Sequence, residues 1–208
     1  MQQLFNKFLQ AETPSIILCN PDKTQLYSLT LAYTVINTLR YNALSELSFI
    51  YPKSSDGGIT IDLAYNNIKG KMVIEVNNGV DDSHFYIINS CPENTTGSVP
   101  TKTVTCLSLE SELVSRRVTG FNGTIAFADM LQRVLDLIPT WSIGSIDPLL
   151  TPLYRTFDNN NNTAYNFLMN EVEKAYGCVF EFDTNVKTVS AISNTVPAAE
   201  TDIYLSFD

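Results

Sequence analysis

Short runs of alternating apolar and polar residues dominate roughly the first 120 positions of the chain. Strand-like runs at residues 15–19 and 25–31 flank the tetrapeptide Asn20-Pro21-Asp22-Lys23. Proline presets φ for a turn, and asparagine and aspartate side chains bond to the turn backbone. The pattern therefore predicts a β-hairpin at the start of the chain.

Further strands follow at similar spacing. The run at 47–51 is ended by Pro52, and the runs at 72–76 and 85–88 flank the hairpin signal Asn77-Asn78-Gly79. Polar loops at 54–58 and 92–100 separate these runs, and a final strand is predicted over 103–109. Several short strands at such spacing are typical of a small barrel or sandwich.

After Gly120 the hydrophobic period changes from 2 towards 3.6. We expect a helix with Thr124 as its N-cap and Pro139 as its stop, with one apolar face formed by Ile125, Ala128, Leu131, Val134, Leu135 and Ile138. A second helix is expected from about Thr163 to Gly177, a residue suited to a left-handed C-terminal cap; its apolar face comprises Ala164, Phe167, Leu168, Val172 and Ala175.

Shorter strands accompany these helices, at 141–144 and in a hairpin formed by 178–182 and 188–192. The fold class expected is mixed β and α+β: a strand-rich, barrel-like tube domain followed by a smaller α+β domain with two helices. The domains are predicted at 1–119 and 120–195, with 196–208 as the start of a strand returning towards the first domain. Since the alternating residues 203–208 have nothing after them to pair with, we expect the chain to be the front part of a longer polypeptide.

Composition restricts the classes of function. Hydrophobic residues make up 44% of the chain and charged residues 17%, as in a folded protein. The net charge of −9, with 13 scattered basic residues, argues against binding nucleic acid through its phosphates. Residues 1–12 lack the pattern of a signal peptide, and no apolar run approaches the roughly 20 residues of a membrane span. Assembly in the cytoplasm is the expectation.

Few residues are candidates for catalysis or metal binding. The single histidine, His84, is interpreted as a turn or strand-edge residue rather than a catalytic base or metal ligand. Because the chain has one histidine, a two-histidine metal site is excluded. The cysteines show neither a CxxC pair nor zinc spacing, so we expect them to be reduced: Cys19, Cys91, Cys106 and Cys178.

Other chemical motifs are incomplete. Ser145 lacks the glycines of a nucleophile elbow, and Gly57-Gly58 is not followed by a phosphate-loop helix. The pairs Asp81-Asp82 and Glu110/Glu112 are interpreted as surface carboxylates. Residues 158–162 resemble the opening of a calcium loop, but Thr163 and Met169 occupy the positions of the required glycine and glutamate. No catalytic, cofactor-binding or metal residue is predicted, and no enzyme activity.

A set of short features occurs in a fixed order over nearly the whole chain, beginning with Leu47-Ser48-Phe49-Ile50-Tyr51-Pro52. The later features are Ile68-x-Gly70-x-x-Val73, Phe85-Tyr86-Ile87, residues 103–113, the helix from Thr124 with Thr140-Trp141-Ser142-Ile143-Gly144, and residues 164–183. This ordered set resembles that of phage tail-tip proteins, a tail-associated, prophage tail endopeptidase-like family.

This resemblance implies the N-terminal, baseplate-hub-like region of a virion structural protein at the tail tip. Such proteins form homotrimers that join the tail tube and distal tail protein to the tip, near the tape-measure protein, and they let DNA pass without binding it specifically. Peptidase or glycan-cleaving regions of some relatives would lie beyond residue 208. The alternative is a glycan-binding module for host-surface recognition, since aromatic residues make up 11% of the chain, although core packing is expected to account for most of them.

Overall fold

The computed structural model describes residues 14–40, 43–77, 83–158 and 161–194. The chain divides into two compact units, Met1–Ser111 and Glu112–Asp208. The domains expected at 1–119, 120–195 and 196–208 stay a prediction, and the predicted strand at 203–208 lies outside the described residues.

The first unit is built on one antiparallel sheet. Its order is β2-β1-β5-β6-β8-β4-β3, with the short β7 beside β8. The strands are β1 Ser15–Cys19, β2 Gln25–Ser28, β3 Tyr33–Thr38, β4 Glu46–Pro52, β5 Val73–Asn77, β6 Ser83–Ser90, β7 Glu93–Asn94 and β8 Thr101–Ser108. The predicted hairpins β1–β2 and β5–β6 are confirmed.

Alternation along these strands places one face of the sheet in the core. In β4, Leu47, Phe49 and Tyr51 are buried while the residues between them are more exposed. The helix α1, Leu63–Asn67, adds Ala64 and Tyr65 to this core, and it begins where Asp62 Oδ1 accepts a hydrogen bond from the Ala64 backbone N–H at 2.8 Å. Neither α1 nor the edge strand β3 was predicted.

The sheet is open over the described residues, with β2 and β3 at its two ends. The mixed β and α+β class is confirmed, but the expected barrel-like closure is wrong for these residues. A closed barrel would require β2 and β3 to pair with each other. Over the described residues β2 pairs with β1 alone and β3 with β4 alone.

The second unit combines a three-stranded sheet, a two-stranded sheet and helices. The larger sheet has the order β10-β13-β12, with β10 parallel to β13, and the smaller one pairs β11 with β9. The strands are β9 Gly123–Ala126, β10 Ser142–Ile146, β11 Tyr154–Phe157, β12 Cys178–Asp183 and β13 Thr188–Ser193. The predicted hairpin β12–β13 and the predicted strand after Trp141 are confirmed.

The helix α2, Phe127–Leu135, begins later than expected. Thr124 is not its N-cap, because this residue lies in β9 opposite Thr156 of β11. The helix follows Ala126 directly, without a side-chain cap. A strand that pairs with residues about 30 positions away has therefore replaced the predicted first turn.

The second predicted helix is confirmed with an irregular middle. It comprises α3 Ala164–Asn166, a π-helical segment Phe167–Val172 and α4 Glu173–Tyr176. Thr163 Oγ1 accepts the Asn166 backbone N–H, and Gly177 ends the helix with φ 66°. An aromatic cluster packs on this segment and includes Phe121, Phe127, Phe157, Phe167, Tyr176 and Phe180.

Candidate assembly surface

The outer strand β3 lies at one end of the first sheet and is open to solvent. All six of its residues are exposed, including the large apolar residues Tyr33, Val35 and Ile36. A bulge between Tyr33 and Ile36 interrupts its pairing with β4, and Thr34 within the bulge has φ 51°. A β-branched residue rarely adopts this left-handed conformation, so the edge carries local strain.

Neither end strand of the sheet bears a charged side chain. The sequence of β3 is YTVINT, and that of β2 is QLYS. Natural edge strands are commonly protected by lysine, proline or inward charges. Among the described residues, the bulge is the one protective feature of β3. The backbone edge of the rest of the strand is available to pair with another strand.

Polar contacts anchor β3 to the sheet. The Tyr86 hydroxyl donates to Asn37 Oδ1 at 2.8 Å. Beyond the strand, the Ser45 backbone N–H donates to Ser108 Oγ at 3.0 Å, and Ser108 Oγ donates to Glu110 Oε1 at 2.6 Å. Burial raises the pKa of Glu110 above its usual value, and the hydrogen bond from Ser108 opposes that rise. Glu110 is thus a buried structural acceptor and not the surface carboxylate expected.

A second buried carboxylate fixes the opposite end strand. Glu75 Oε2 accepts a hydrogen bond from Gln25 Nε2 in β2, and its Oε1 accepts one from Ser83 Oγ in β6, both at 2.8 Å. Gln25 thus ties β2 to a buried carboxylate, whereas β3 is tied to the sheet through the Tyr86 hydroxyl and the Asn37 amide. This role of Glu75 could not be predicted, because in the sequence it looks like any polar residue of an alternating strand.

A pocket of about 360 Å³ is lined mainly by residues of β3, β4 and β8. It is lined by Ile36, Thr38, Glu46, Leu47, Ser48, Asn89, Thr105, Cys106 and Leu107. Its lining contains one carboxylate and neither a histidine nor a cation. It is a recess of the sheet surface rather than a cluster of catalytic groups.

The structure disperses the residues considered for chemistry. His84 lies in β6 opposite Val76 and is half-buried. All four cysteines are free, as expected. Burial raises the pKa of Cys19 to about 11 and that of Cys178 to about 12, and burial also raises that of Cys106, which disfavours reactive thiolates.

Two other candidates have structural partners. Ser145 donates its backbone N–H to Ser190 Oγ at 3.0 Å, and Gly144 beside it leaves too little room for a Cβ because the Ser190 side chain lies there. Glu112 accepts a hydrogen bond from Trp141 Nε1 at 2.8 Å and forms an ion pair with Lys187 at 2.9 Å. Glu112 is therefore partnered inside the second unit rather than solvated at the surface.

The remaining motifs fall partly outside the described residues. Asp81 and Asp82 lie there, as do two residues of the segment 158–162. Thr163, which follows that segment, serves as the expected helix cap. Within the described ranges, no group of three or more histidine, cysteine, aspartate or glutamate side chains is placed to hold a metal ion.

Among the described helices, none combines the length and apolar character that crossing a bilayer requires. The features with an evident capacity for interaction are instead the open, uncharged edges of an antiparallel sheet. These features define the class of the first unit, a strand-rich module whose exposed edges suit protein assembly.

Comparison with known proteins narrows this class. The YOMG N-terminal domain family matches residues 18–106, which is the sheet of the first unit and less than half of the chain. A search of curated proteins returned no match.

Solved structures share the fold over both units. Prophage tail protein gp18 from Listeria monocytogenes EGD-e aligns with a TM-score of 0.65 at 12% identity, covering 93% of this chain and 55% of that one. The 43 kDa tail protein of prophage MuSo2 from Shewanella oneidensis gives 0.59 at 13% identity, covering 87% and 56%. A tail protein from Neisseria meningitidis MC58 gives 0.56 at 12% identity, covering 86% and 50%.

This chain spans about half the length of those three structures. Their similarity shows a common fold, and it confirms the resemblance to phage tail proteins that the order of sequence features indicated.

Proposed function

We propose that the chain is a structural component of a bacteriophage or prophage tail tip. In this role it belongs to a baseplate hub that joins the tail tube and distal tail protein to the tip. The observation that carries the proposal is the shared fold with prophage tail protein gp18 over 93% of the chain. The tape-measure protein is a further neighbour in this proposal, and the site of action is the virion tail after assembly in the bacterial cytoplasm.

The oligomer proposed is a homotrimeric ring. Its support is the topology of the first sheet, in which six successive antiparallel pairings separate β2 from β3. The two end strands therefore run in the same direction. Rotating one copy about an axis along the strands would bring β3 beside β2 of the next copy, and the uncharged edges let two acidic chains approach.

Passage of DNA through the ring is also part of the proposal. A channel must not retain the phosphate backbone, and a chain with 22 acidic and 13 basic residues suits that requirement. We expect no retention of duplex DNA in gel-shift assays at physiological salt. Retention with a steep dependence on salt concentration would contradict the proposed passage without binding.

We propose no catalytic role for this segment, and any peptidase or glycan-cleaving activity would belong to sequence beyond residue 208. The support is that the carboxylates of Glu110 and Glu112 accept internal hydrogen bonds, from Ser108 Oγ and from Trp141 Nε1 respectively. Incubation with peptidoglycan and with a peptide library, using wild-type protein and His84→Ala, tests this. Histidine-dependent turnover would overturn it.

Sedimentation velocity at micromolar concentration tests the ring. We expect a species of three times the 23.2 kDa chain mass, and dissociation of that species by the double substitution Val35→Lys/Ile36→Lys in β3. Val186→Lys is the matched control, since Val186 is also an exposed aliphatic residue but lies in the second unit. A strict monomer at all concentrations would contradict the trimer.

A further inference from the structure

An asparagine–glycine pair, Asn122-Gly123, lies at the start of β9 in the second unit. The sequence contains this dipeptide twice, and the other copy, Asn78-Gly79, is outside the described residues. Asn122 and Gly123 are both exposed, and Asn122 precedes the strand rather than lying within a helix or sheet. Asn122 is therefore accessible to water, and the residue after it has no side chain.

The backbone at Gly123 explains why a glycine follows Asn122. Its φ angle is 105°, a conformation that residues with a Cβ rarely adopt. The start of β9 thus requires glycine, and this requirement leaves the backbone nitrogen of residue 123 without a Cβ beside it. A side chain at that position is the main steric obstacle to an attack of the nitrogen on the preceding asparagine.

The reaction open to such a pair is intramolecular deamidation. The Gly123 backbone nitrogen forms a bond to Cγ of Asn122, the bond from Cγ to Nδ2 breaks, and the amide proton of Gly123 leaves with Nδ2 as ammonia. Water then opens the resulting succinimide ring at either of its two carbonyl carbons, which gives aspartate or isoaspartate at position 122. One water is consumed and one ammonia released, with no oxidation or reduction. Because the reacting groups belong to adjacent residues, no other molecule has to be positioned first.

We propose that Asn122 is a site of spontaneous modification and deamidates faster than the other asparagines of the described residues. Both products carry one more negative charge than the original amide. They differ in the path of the backbone: isoaspartate continues the chain through the former side chain, which adds one carbon atom to the main chain between Phe121 and Gly123.

The added carbon atom falls between two anchored residues. On one side, Phe121 is buried and its ring centre lies 5.1 Å from that of Phe167. On the other side, Gly123 pairs with Phe157 in β11. Isoaspartate must therefore displace either the packed Phe121 ring or the end of the β9–β11 pairing, whereas aspartate requires neither change. The two products should differ in stability although they carry the same charge.

Incubation of the full chain in mildly alkaline buffer, followed by peptide mapping with mass spectrometry, tests the site. Asn122 should convert at least about tenfold faster than Asn185, an exposed turn residue that is followed by the β-branched Val186. Asn122→Gln should remove the acidic species that accumulates from this site in ion-exchange chromatography. Conversion of Asn122 no faster than that of Asn185 would overturn the proposal.

Thermal unfolding of the purified isoaspartyl form tests the structural consequence. Followed by the fluorescence of Trp141, which lies in the same unit, this form should unfold at least about 4 °C below the wild-type chain. The matched control is Asn122→Asp, which supplies the charge without the added main-chain atom and should shift the midpoint by less than about 1 °C. Equal midpoints for the isoaspartyl form and Asn122→Asp would contradict the strain expected between Phe121 and Gly123.

Discussion

The ion pair between Glu112 and Lys187 should contribute much more to stability than a surface pair. Lys187 Nζ lies 2.9 and 3.0 Å from the two carboxylate oxygens of Glu112, and Trp141 Nε1 donates to the same carboxylate. The side chains of Lys187 and Glu112 are only 15% and 28% exposed. Limited access of water strengthens the attraction and penalises either charge left without its partner.

The expected magnitude lies between two known limits. Exposed pairs contribute about 0–1 kcal/mol, whereas removing one partner of a fully buried pair destabilises by about 3–5 kcal/mol. For this partly buried pair we expect a coupling energy of about 2 kcal/mol in a double-mutant cycle of Glu112→Gln and Lys187→Met. The matched control is Arg40–Glu46, a pair 3.1 Å apart with side chains 46% and 49% exposed, which should couple by less than about 0.5 kcal/mol.

The measurement is urea unfolding of the four variants of each cycle. Trp141 is the single tryptophan of the chain and lies in the second unit, so its fluorescence reports the unit that contains Glu112 and Lys187. Circular dichroism follows the Arg40–Glu46 cycle. A coupling energy for Glu112–Lys187 no greater than that of Arg40–Glu46 would refute the reasoning from burial.

Three further predictions concern individual side chains. Gly144→Ala should destabilise the second unit by about 1–3 kcal/mol in the same unfolding assay, because the added Cβ would collide with the Ser190 side chain. Combining it with Ser190→Gly should recover part of this loss. Equal destabilisation by Gly144→Ala with and without Ser190→Gly would contradict the contact. Because burial raises the folded-state pKa of Glu110 above 4.5, folding favours its protonated form, and its stabilising contribution is lost as pH rises from about 4.5 through the folded pKa. Glu110→Gln should therefore gain in melting temperature relative to wild type over that range, and parallel pH profiles would argue against it. With Ellman's reagent at pH 8, the half-buried Cys91 should react first and the three buried cysteines only slowly, whereas four equal rates would contradict the burial of Cys19, Cys106 and Cys178.

The sequence predicted those elements whose signals are local. The turn at Asn20-Pro21 marked the first hairpin, and the residues from Thr163 to Gly177 marked a capped helix. In each case one turn or cap residue next to a periodic apolar run was sufficient.

Elements that depend on distant contacts were missed or misassigned. Thr124 looked like a helix cap because Ile125 extends the apolar pattern of α2, but both residues pair with β11 about 30 positions later. The edge strand β3 has no buried face, so it shows no alternation that a core would impose. The sheet is open because of the order in which distant strands pair. Hydrophobic periodicity carries no information on that order.

The candidate surface was only partly predictable for the same reason. The resemblance implied a homotrimer, but the two uncharged end strands became identifiable only with the strand order. The sequence predicted a loop at residues 54–58, but it contained no signal that Ile59, the next residue, would be 86% exposed.

We propose that this chain is a structural part of a phage tail tip. Electron cryo-microscopy of particles produced by the phage or prophage that encodes it tests that role most directly. We expect density for both units at the tip of the tail, in three copies around the tail axis. Particles whose tips lack this density, or a chain found only outside the assembled tail, would contradict it.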